Sequence, residues 1–395
     1  MRRVYLDNNA TTPIHPEVQE VIRESLGLFG NASSAHLFGQ EARSRVEDAR
    51  SNVAAFIHAE PEEIIFTSCG SESNNLAIKG TTCEEMPFKL PEAPGGRHVI
   101  TSQIEHPSVR STLQCLEQRG FKVTWLPVDR YGMVDPEDIR KAITRHTVLI
   151  TIMLANNEIG TIEPVKEIAA IGREHGIIVH TDAVQALGKI EVDAKELGVD
   201  FMSLSGHKIY APKGIGALYM KKGLRLCPLV HGGHQEGGLR GGTENTPGII
   251  AFGKAAQLAK NDMTREVKRI RALRDRLKKG IEDSVDEIIF NGHPENVLPG
   301  TLNISFRHIE GESIILRLSG QGIAVSTGSA CSTGSLEPSH VMLAIGLPHE
   351  DAHGSIRFSI GRENTEDDID YTLEVLPEVI KKLREMSPLY QAGRS

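Results

Sequence analysis

Cysteine is scarce in this chain of 395 residues: Cys69, Cys83, Cys115, Cys227 and Cys331 are odd in number, dispersed and never in a Cys-x-x-Cys pair. That pattern argues against a disulfide framework and a structural zinc site, and it fits a reducing cytosol. Long hydrophobic runs are also missing. The longest aliphatic stretch, Val148 to Ala155, falls far short of the roughly 20 residues a membrane helix needs. The basic start at Arg2 and Arg3 leads into polar Asp7, Asn8 and Asn9, so no signal peptide or membrane span is expected. Positive charge is outnumbered, 44 Lys and Arg against 52 Asp and Glu, and a net charge of -8 offers no general field for a nucleic-acid backbone. Repeats and low-complexity tracts are absent. What remains, 39% hydrophobic and 24% charged, excludes a disordered or fibrous chain and suffices for two domains.

From Pro61 to about Met220 short apolar runs alternate with amphipathic helical patterns. The runs are Ile64–Thr67, His98–Thr101, Val123–Leu126, Val148–Leu154, Ile177–His180, Phe201–Leu204 and Gly216–Tyr219. Continuous apolar strands alternating with helices indicate an α/β fold with a mostly parallel sheet covered on both faces. Before this core, Ala42, Val46, Ala49, Val53 and Phe56 form the stripe of a packing helix. After it comes a Gly-rich stretch from His231 to Gly242, then a long helical pattern from Ile249 to about Val285. A second, smaller α/β unit follows, with strands at Ile288–Phe290, Leu302–Phe306 and Ile356–Ser359 and a last helix from Glu366 to Met386.

Ligands of such sheets collect beyond the carboxyl ends of the strands, and that is where the chemically capable residues fall. Lys208 follows the run Phe201–Leu204; it is either a surface loop lysine or a Schiff-base former. Asp182 ends the preceding run; it is either a helix cap or the partner of a pyridinium nitrogen. Taken together the two favour a pyridoxal phosphate site. Gly70 and Ser71 sit in a tight turn between a strand and a helix, where backbone N–H groups can cradle a phosphate, with Ser205 and His207 able to add contacts. His106 follows another strand, as a structural histidine or one that stacks on a ring and moves protons. Asn156 and Asn157 occupy the equivalent place after Val148–Leu154 and either orient a ligand or form a turn.

Cys331 lies in a stretch of small residues, Ser326 to Ser335, without the apolar surroundings of a packed cysteine, so a nucleophilic thiol on a loop competes with an idle one. Arg357, on an apolar strand, is either the holder of an amino-acid carboxylate or half of an ion pair. His231 and His234 have a metal-like spacing but no shared helix, and no metal is expected.

With these residues in place the chain resembles the cysteine desulfurases of the NifS/IscS type, pyridoxal-phosphate enzymes of fold type I. The likeness runs from Tyr5–Thr12 to Gly361-Arg362 through Thr67–Asn75, Glu105-His106, Asn156–Gly160, Asp182–Gln185, Ser205–Lys208, Arg240–Asn245 and Ser329–Cys331. The resemblance implies Lys208 as the Schiff-base lysine, Asp182 as partner of the ring nitrogen, Gln185 as donor to the ring hydroxyl and His106 as the stacking, proton-handling residue. It implies Gly70, Ser71, Ser205 and His207 as phosphate contacts, and Thr243 as a phosphate ligand lent across a homodimer interface. Asn157 and Arg357 would hold the substrate carboxylate, Asn157 also touching the cofactor, and Cys331 would carry sulfur from L-cysteine as a persulfide, leaving L-alanine.

The implied organisation is a large cofactor-binding domain, 16–260, with a seven-stranded sheet. The small domain joins 1–15 to 261–395 and carries the cysteine loop at about 326–337. The expected partners are L-cysteine and a protein sulfur acceptor such as an iron–sulfur scaffold, in the cytoplasm. A selenocysteine lyase or a fold type I aminotransferase is the nearest alternative. A non-catalytic protein of the same fold and a cofactor-free thiol hydrolase are more distant ones.

Overall fold

The computed structural model describes residues 2–83, 96–327, 337–388 and 390. Seven strands form the principal sheet, in the spatial order Ile64–Thr67, Gly216–Met220, Phe201–Ser205, Ile178–Asp182, Thr147–Thr151, His98–Ser102 and Lys122–Leu126. The last five pair in parallel, whereas Gly216–Met220 is antiparallel to both its neighbours. All seven expected runs are therefore strands of one sheet, with ends that differ by a few residues. The central strands are buried along their whole length, which is why their sequences read as unbroken apolar runs rather than alternating ones. His180, fully buried in Ile178–Asp182, is kept neutral by burial, its pKa pushed down to about 3. Its two ring nitrogens reach the hydroxyls of Thr151 and Ser203 on the flanking strands at 2.8 and 2.9 Å.

The helix Leu37–Phe56 buries the expected stripe of Ala42, Val46, Ala49, Val53 and Phe56. It lies along the first part of a 39-residue helix, Thr246–Ser284. At 1.5 Å per residue this helix is about 60 Å long. Its early turns, Ile249 to Ala256, enter the large core, and Leu273, Leu277 and Ile281 enter a second one. That second core is built on an antiparallel sheet of Ile288–Asn291, Thr301–Phe306 and Ser355–Ser359, covered by the helix Glu366–Met386. Val4–Tyr5 pairs in parallel with Ile323–Ala324, so the chain's beginning packs with its end.

One expectation is corrected. Cys83 and Cys227 are joined Sγ to Sγ, with Cα atoms 6.3 Å apart. The link ties the end of the helix Gly70–Thr81 to the segment after Gly216–Met220, where Cys227 N–H also donates to the Gly80 carbonyl at 3.2 Å. These residues are 144 positions apart, a separation at which spacing carries no pairing signal. Among the described residues no helix is long and apolar enough to cross a membrane, and no cluster of three or more His, Cys, Asp or Glu could hold a metal.

Candidate active site

Asp182 and the segment Ser205–Lys208 come to one place because their strands are parallel neighbours, with Asp182 in register with Ser203. Both leave the sheet at the same end. Asp182 is 5% exposed, and Oδ2 accepts from Asn74 Nδ2 at 2.7 Å while Oδ1 accepts from Val184 N–H at 3.0 Å. No helix begins there, so its carboxylate shapes a turn instead of capping a helix. Lys208 ends a short 3₁₀ turn, and its amine donates to the carbonyls of Asn9 and Ala10, the latter at 2.7 Å.

His106 feels both charges. Asp182 acts to raise its pKa and Lys208 to lower it, but burial dominates and holds the ring neutral. It caps the helix Pro107–Gln118, Nδ1 accepting from Ser108 N–H at 3.2 Å, so the remaining proton belongs on Nε2. His106 is therefore a structural cap and a neutral imidazole beside the site at once.

The packing around Gly70 is tight enough to exclude a side chain. The helix Gly70–Thr81 starts where a Cβ on Gly70 would meet Val184 Cγ2 at 2.7 Å and Ser205 Cβ at 3.4 Å, so only glycine lets the three loops converge. Ser205 Oγ is buried there with no hydrogen-bond partner. A buried hydroxyl without a partner costs roughly 1–3 kcal/mol, and a phosphate at this helix N-terminus would satisfy it. His207, whose Nδ1 lies 3.2 Å from Thr11 Oγ1, is kept neutral by burial and by neighbouring lysines, its pKa down to about 4. Ser71 is exposed in the helix's first turn. These residues fit pyridoxal phosphate: an amine for its aldehyde, a carboxylate for its ring nitrogen and an orphaned donor for its phosphate.

Arg357 is 3% exposed. Its guanidinium donates to Asp7 Oδ1 at 2.8 Å and to the Asn157 carbonyl at 2.9 Å, while Nε is left without a partner. The residue is both half of an ion pair and a donor with an edge to spare. Cys331 lies outside the described residues, but both flanks of its segment are anchored at the site. Ser326 exchanges backbone hydrogen bonds with Arg357; Ser339 Oγ donates to Glu158 Oε2 at 2.6 Å; and His340 Nε2 lies 3.0 Å from the Glu105 carbonyl. Thr243 is exposed and lines a surface cavity with Ser68, Gly214 and Arg240.

Four further residues carry the site without a signal of their own in the sequence: Asn9, Asn74, Glu105 and Lys189. The first three fall inside the motifs Tyr5–Thr12, Thr67–Asn75 and Glu105-His106, and Lys189 lies in the turn after Gln185. Glu105 is fully buried, its Oε1 accepting from Ser102 Oγ at 2.7 Å and Met153 N–H at 2.9 Å, and burial pushes its pKa up to about 8. A carboxyl raised in this way favours the folded state fully below its unfolded pKa, and the contribution is lost as pH rises through the folded value. Between pH 5 and 9 the wild type should lose roughly 3–5 kcal/mol relative to Glu105→Gln, from which this ionisation is absent. Urea unfolding at the two pH values checks this; parallel pH profiles for both proteins would show that Glu105 is not the group responsible.

The class-V aminotransferase family matches residues 4–372. A cysteine desulfurase IscS of Dictyoglomus turgidum is 52% identical over 391 residues, covering 99% of this chain and 98% of that protein. A cysteine desulfurase IscS of Methanosarcina thermophila is 49% identical over 389 residues, covering 98% and 94%. Among solved structures, a NifS-like protein superposes with a TM-score of 0.89 at 39% identity, covering 97% of this chain and all 100% of that one. SspA in complex with cysteine superposes with a TM-score of 0.79 at 38% identity, covering 90% and 98%.

Proposed function

We propose, on the premise that this chain belongs to the class-V aminotransferase family and is a pyridoxal-phosphate-dependent cysteine desulfurase, a division of labour among its residues. When bound, pyridoxal phosphate supplies the electron sink for bond breaking at the substrate's α and β carbons. Lys208 would hold the cofactor through its amine and would serve as the base at Cα. The carbonyls of Asn9 and Ala10 are a resting place for its amine. Asp182 keeps the ring nitrogen protonated, and Gln185 donates to the ring hydroxyl. Gly70, Ser71, Ser205 and His207 bind the phosphate. His106, neutral and capped through Nδ1, stacks on the ring and offers its Nε2 proton.

Arg357 binds the carboxylate of L-cysteine, with Nε as its unengaged donor, and Asn157 orients it through the carbonyl that holds the guanidinium. Cys331 then attacks the substrate sulfur. The carbon–sulfur bond breaks, a sulfur–sulfur bond forms and the thiol proton ends on carbon, so L-cysteine and one thiol give L-alanine and one persulfide without an external oxidant. The observation that carries this reading is the convergence of Asp182, Lys208 and the orphaned Ser205 hydroxyl at one sheet end.

The test is incubation of the purified protein with L-cysteine, followed by assay of alanine and mass analysis of the Cys331 peptide. One added sulfur on that peptide is expected, removable by a thiol reductant. Cys331→Ser should still bind cofactor and form its Schiff base, and normal sulfide release from it would refute the role of Cys331. A keto acid in place of alanine would point to an aminotransferase.

A homodimer is supported by Leu26, Phe29, Leu37 and Phe38, exposed by 70, 78, 80 and 55%, with the two phenyl rings 5.0 Å apart. Such a cluster calls for cover, and exposed Thr243 suits a phosphate ligand lent to a second copy. Sedimentation of the purified protein decides. The sulfur acceptor is a protein, with an iron–sulfur scaffold as the first one to assay. A cytoplasmic location is supported by the few dispersed cysteines; the Cys83–Cys227 link is the observation that weighs against it, and cell fractionation distinguishes the two.

A further inference from the structure

Behind the cofactor residues lies a second lysine. The turn after Asp182 runs through Gly188, whose φ of +73° sends the chain back, and a Cβ there would meet Ile209 Cγ2 at 2.8 Å. Lys189 is thereby directed beneath the site. Its amine donates to Gln185 Oε1 at 2.6 Å and to Asn9 Oδ1 at 2.8 Å. Asn9 is itself a junction. Its carbonyl accepts from Lys208 Nζ and from Gln185 Nε2, the latter at 2.9 Å, and its own Nδ2 reaches the Asn157 carbonyl at 3.2 Å and Thr301 Oγ1 at 2.9 Å.

A side-chain amide can flip unless its oxygen and nitrogen are told apart by partners. The Lys189 amine donates to Oε1, which fixes Gln185 with its oxygen turned toward the lysine; Nε2 gives one hydrogen to the Asn9 carbonyl and keeps the other to donate. We propose that Lys189 is a positioning residue of the desulfurase: it locks the Gln185 amide as a donor toward the cofactor ring oxygen and holds the Asn9 turn that receives the Lys208 amine. The inference rests on the cofactor-site reading above and deepens it.

The charged surroundings make this an unusual place for an ammonium. Lys208 and His207 approach from the segment after Phe201–Ser205, and Arg357 from its strand, its charge shared with Asp7. Across an adjoining cavity, the long helix presents Asp262 and Glu266, with Arg362 and His15 at the same wall. Burial, with the nearby Lys208 and Arg357 charges, brings the Lys189 amine well below its ordinary pKa.

A donor held on the ring oxygen opposes protonation of the neighbouring Schiff-base nitrogen. Removing Lys189 should therefore raise the pH at which the Schiff base of Lys208 titrates. The experiment compares wild type, Lys189→Met and Lys189→Gln, each reconstituted with pyridoxal phosphate, by visible absorption against pH. Borohydride trapping on Lys208 and thermal melting accompany each titration. A rise of about one pH unit is expected for Lys189→Met, and a smaller one for Lys189→Gln, which keeps a donor.

In a Gln185→Ala background, Lys189→Met should add nothing further, because its action passes through that amide. A midpoint unchanged within about 0.2 units, or a shift of the same size in the Gln185→Ala background, overturns the proposal. Failure of Lys189→Met to fold transfers the decision to Lys189→Gln under the same criteria. Failure of the wild type to trap cofactor on Lys208 would overturn the site reading and this inference together, whereas normal trapping with no shift overturns this one alone.

Discussion

Lys208→Ala should lose at least about 10⁴-fold in alanine release from L-cysteine while keeping its fold, because one amine serves both as anchor of the cofactor and as base at Cα. The structural cost is small. The amine's bonds to the Asn9 and Ala10 carbonyls are lost, but both acceptors belong to a turn held independently by Asn9 N–H on Ser359 Oγ at 2.9 Å and Thr12 N–H on the His207 carbonyl at 3.1 Å. The variant should bind pyridoxal phosphate reversibly through the phosphate cradle, with nothing for borohydride to trap. Melting temperature, dialysis of the cofactor and alanine assay together separate this outcome from simple unfolding; turnover within tenfold of wild type would remove Lys208 from the reaction.

The second large effect is expected at Asp182, where charge can be removed with little change in shape. In Asp182→Asn the remaining oxygen can still accept from Val184 N–H, and the new amide nitrogen faces Asn74. Asn74 has a buried Oδ1 with no partner, and a flip of its amide restores a donor–acceptor pair with residue 182 while giving up the bond that Asn74 Nδ2 donates to Ser108 Oγ at 2.8 Å. Stability should therefore fall by about 1 kcal/mol, the scale of one hydrogen bond. Activity should fall about 10³-fold, the usual scale for deleting a preorganised charge that stabilises charge developing in the reaction. Retained cofactor with a shifted visible band and depressed kcat is the expected combination. An unchanged kcat would place the ring nitrogen elsewhere.

Much of this architecture is written locally. The strands Ile178–Asp182 and Phe201–Ser205 announce themselves because a strand buried on both faces must be apolar throughout, and the last helix is legible to its ends, Glu366 and Met386. The placing of Asp182, Ser205 and Lys208 followed from the rule that parallel strands deliver their loops to one edge. His106 shows the limit of local pattern: a structural histidine and one that stacks on a ring look alike in sequence, and the fold shows it capping a helix through one ring nitrogen, which leaves the other available.

The sequence by itself determined the α/β class, the strand ends where chemistry collects and the residue types that pyridoxal phosphate requires, because each depends on periodicity or on a few consecutive side chains. Only the tertiary structure decided that Asp7 pairs with Arg357, that Cys83 meets Cys227, and that Lys189 and Lys208 share Asn9. Those contacts join residues far apart along the chain, and their energy comes from burying polar groups that must find partners wherever the packed core brings them.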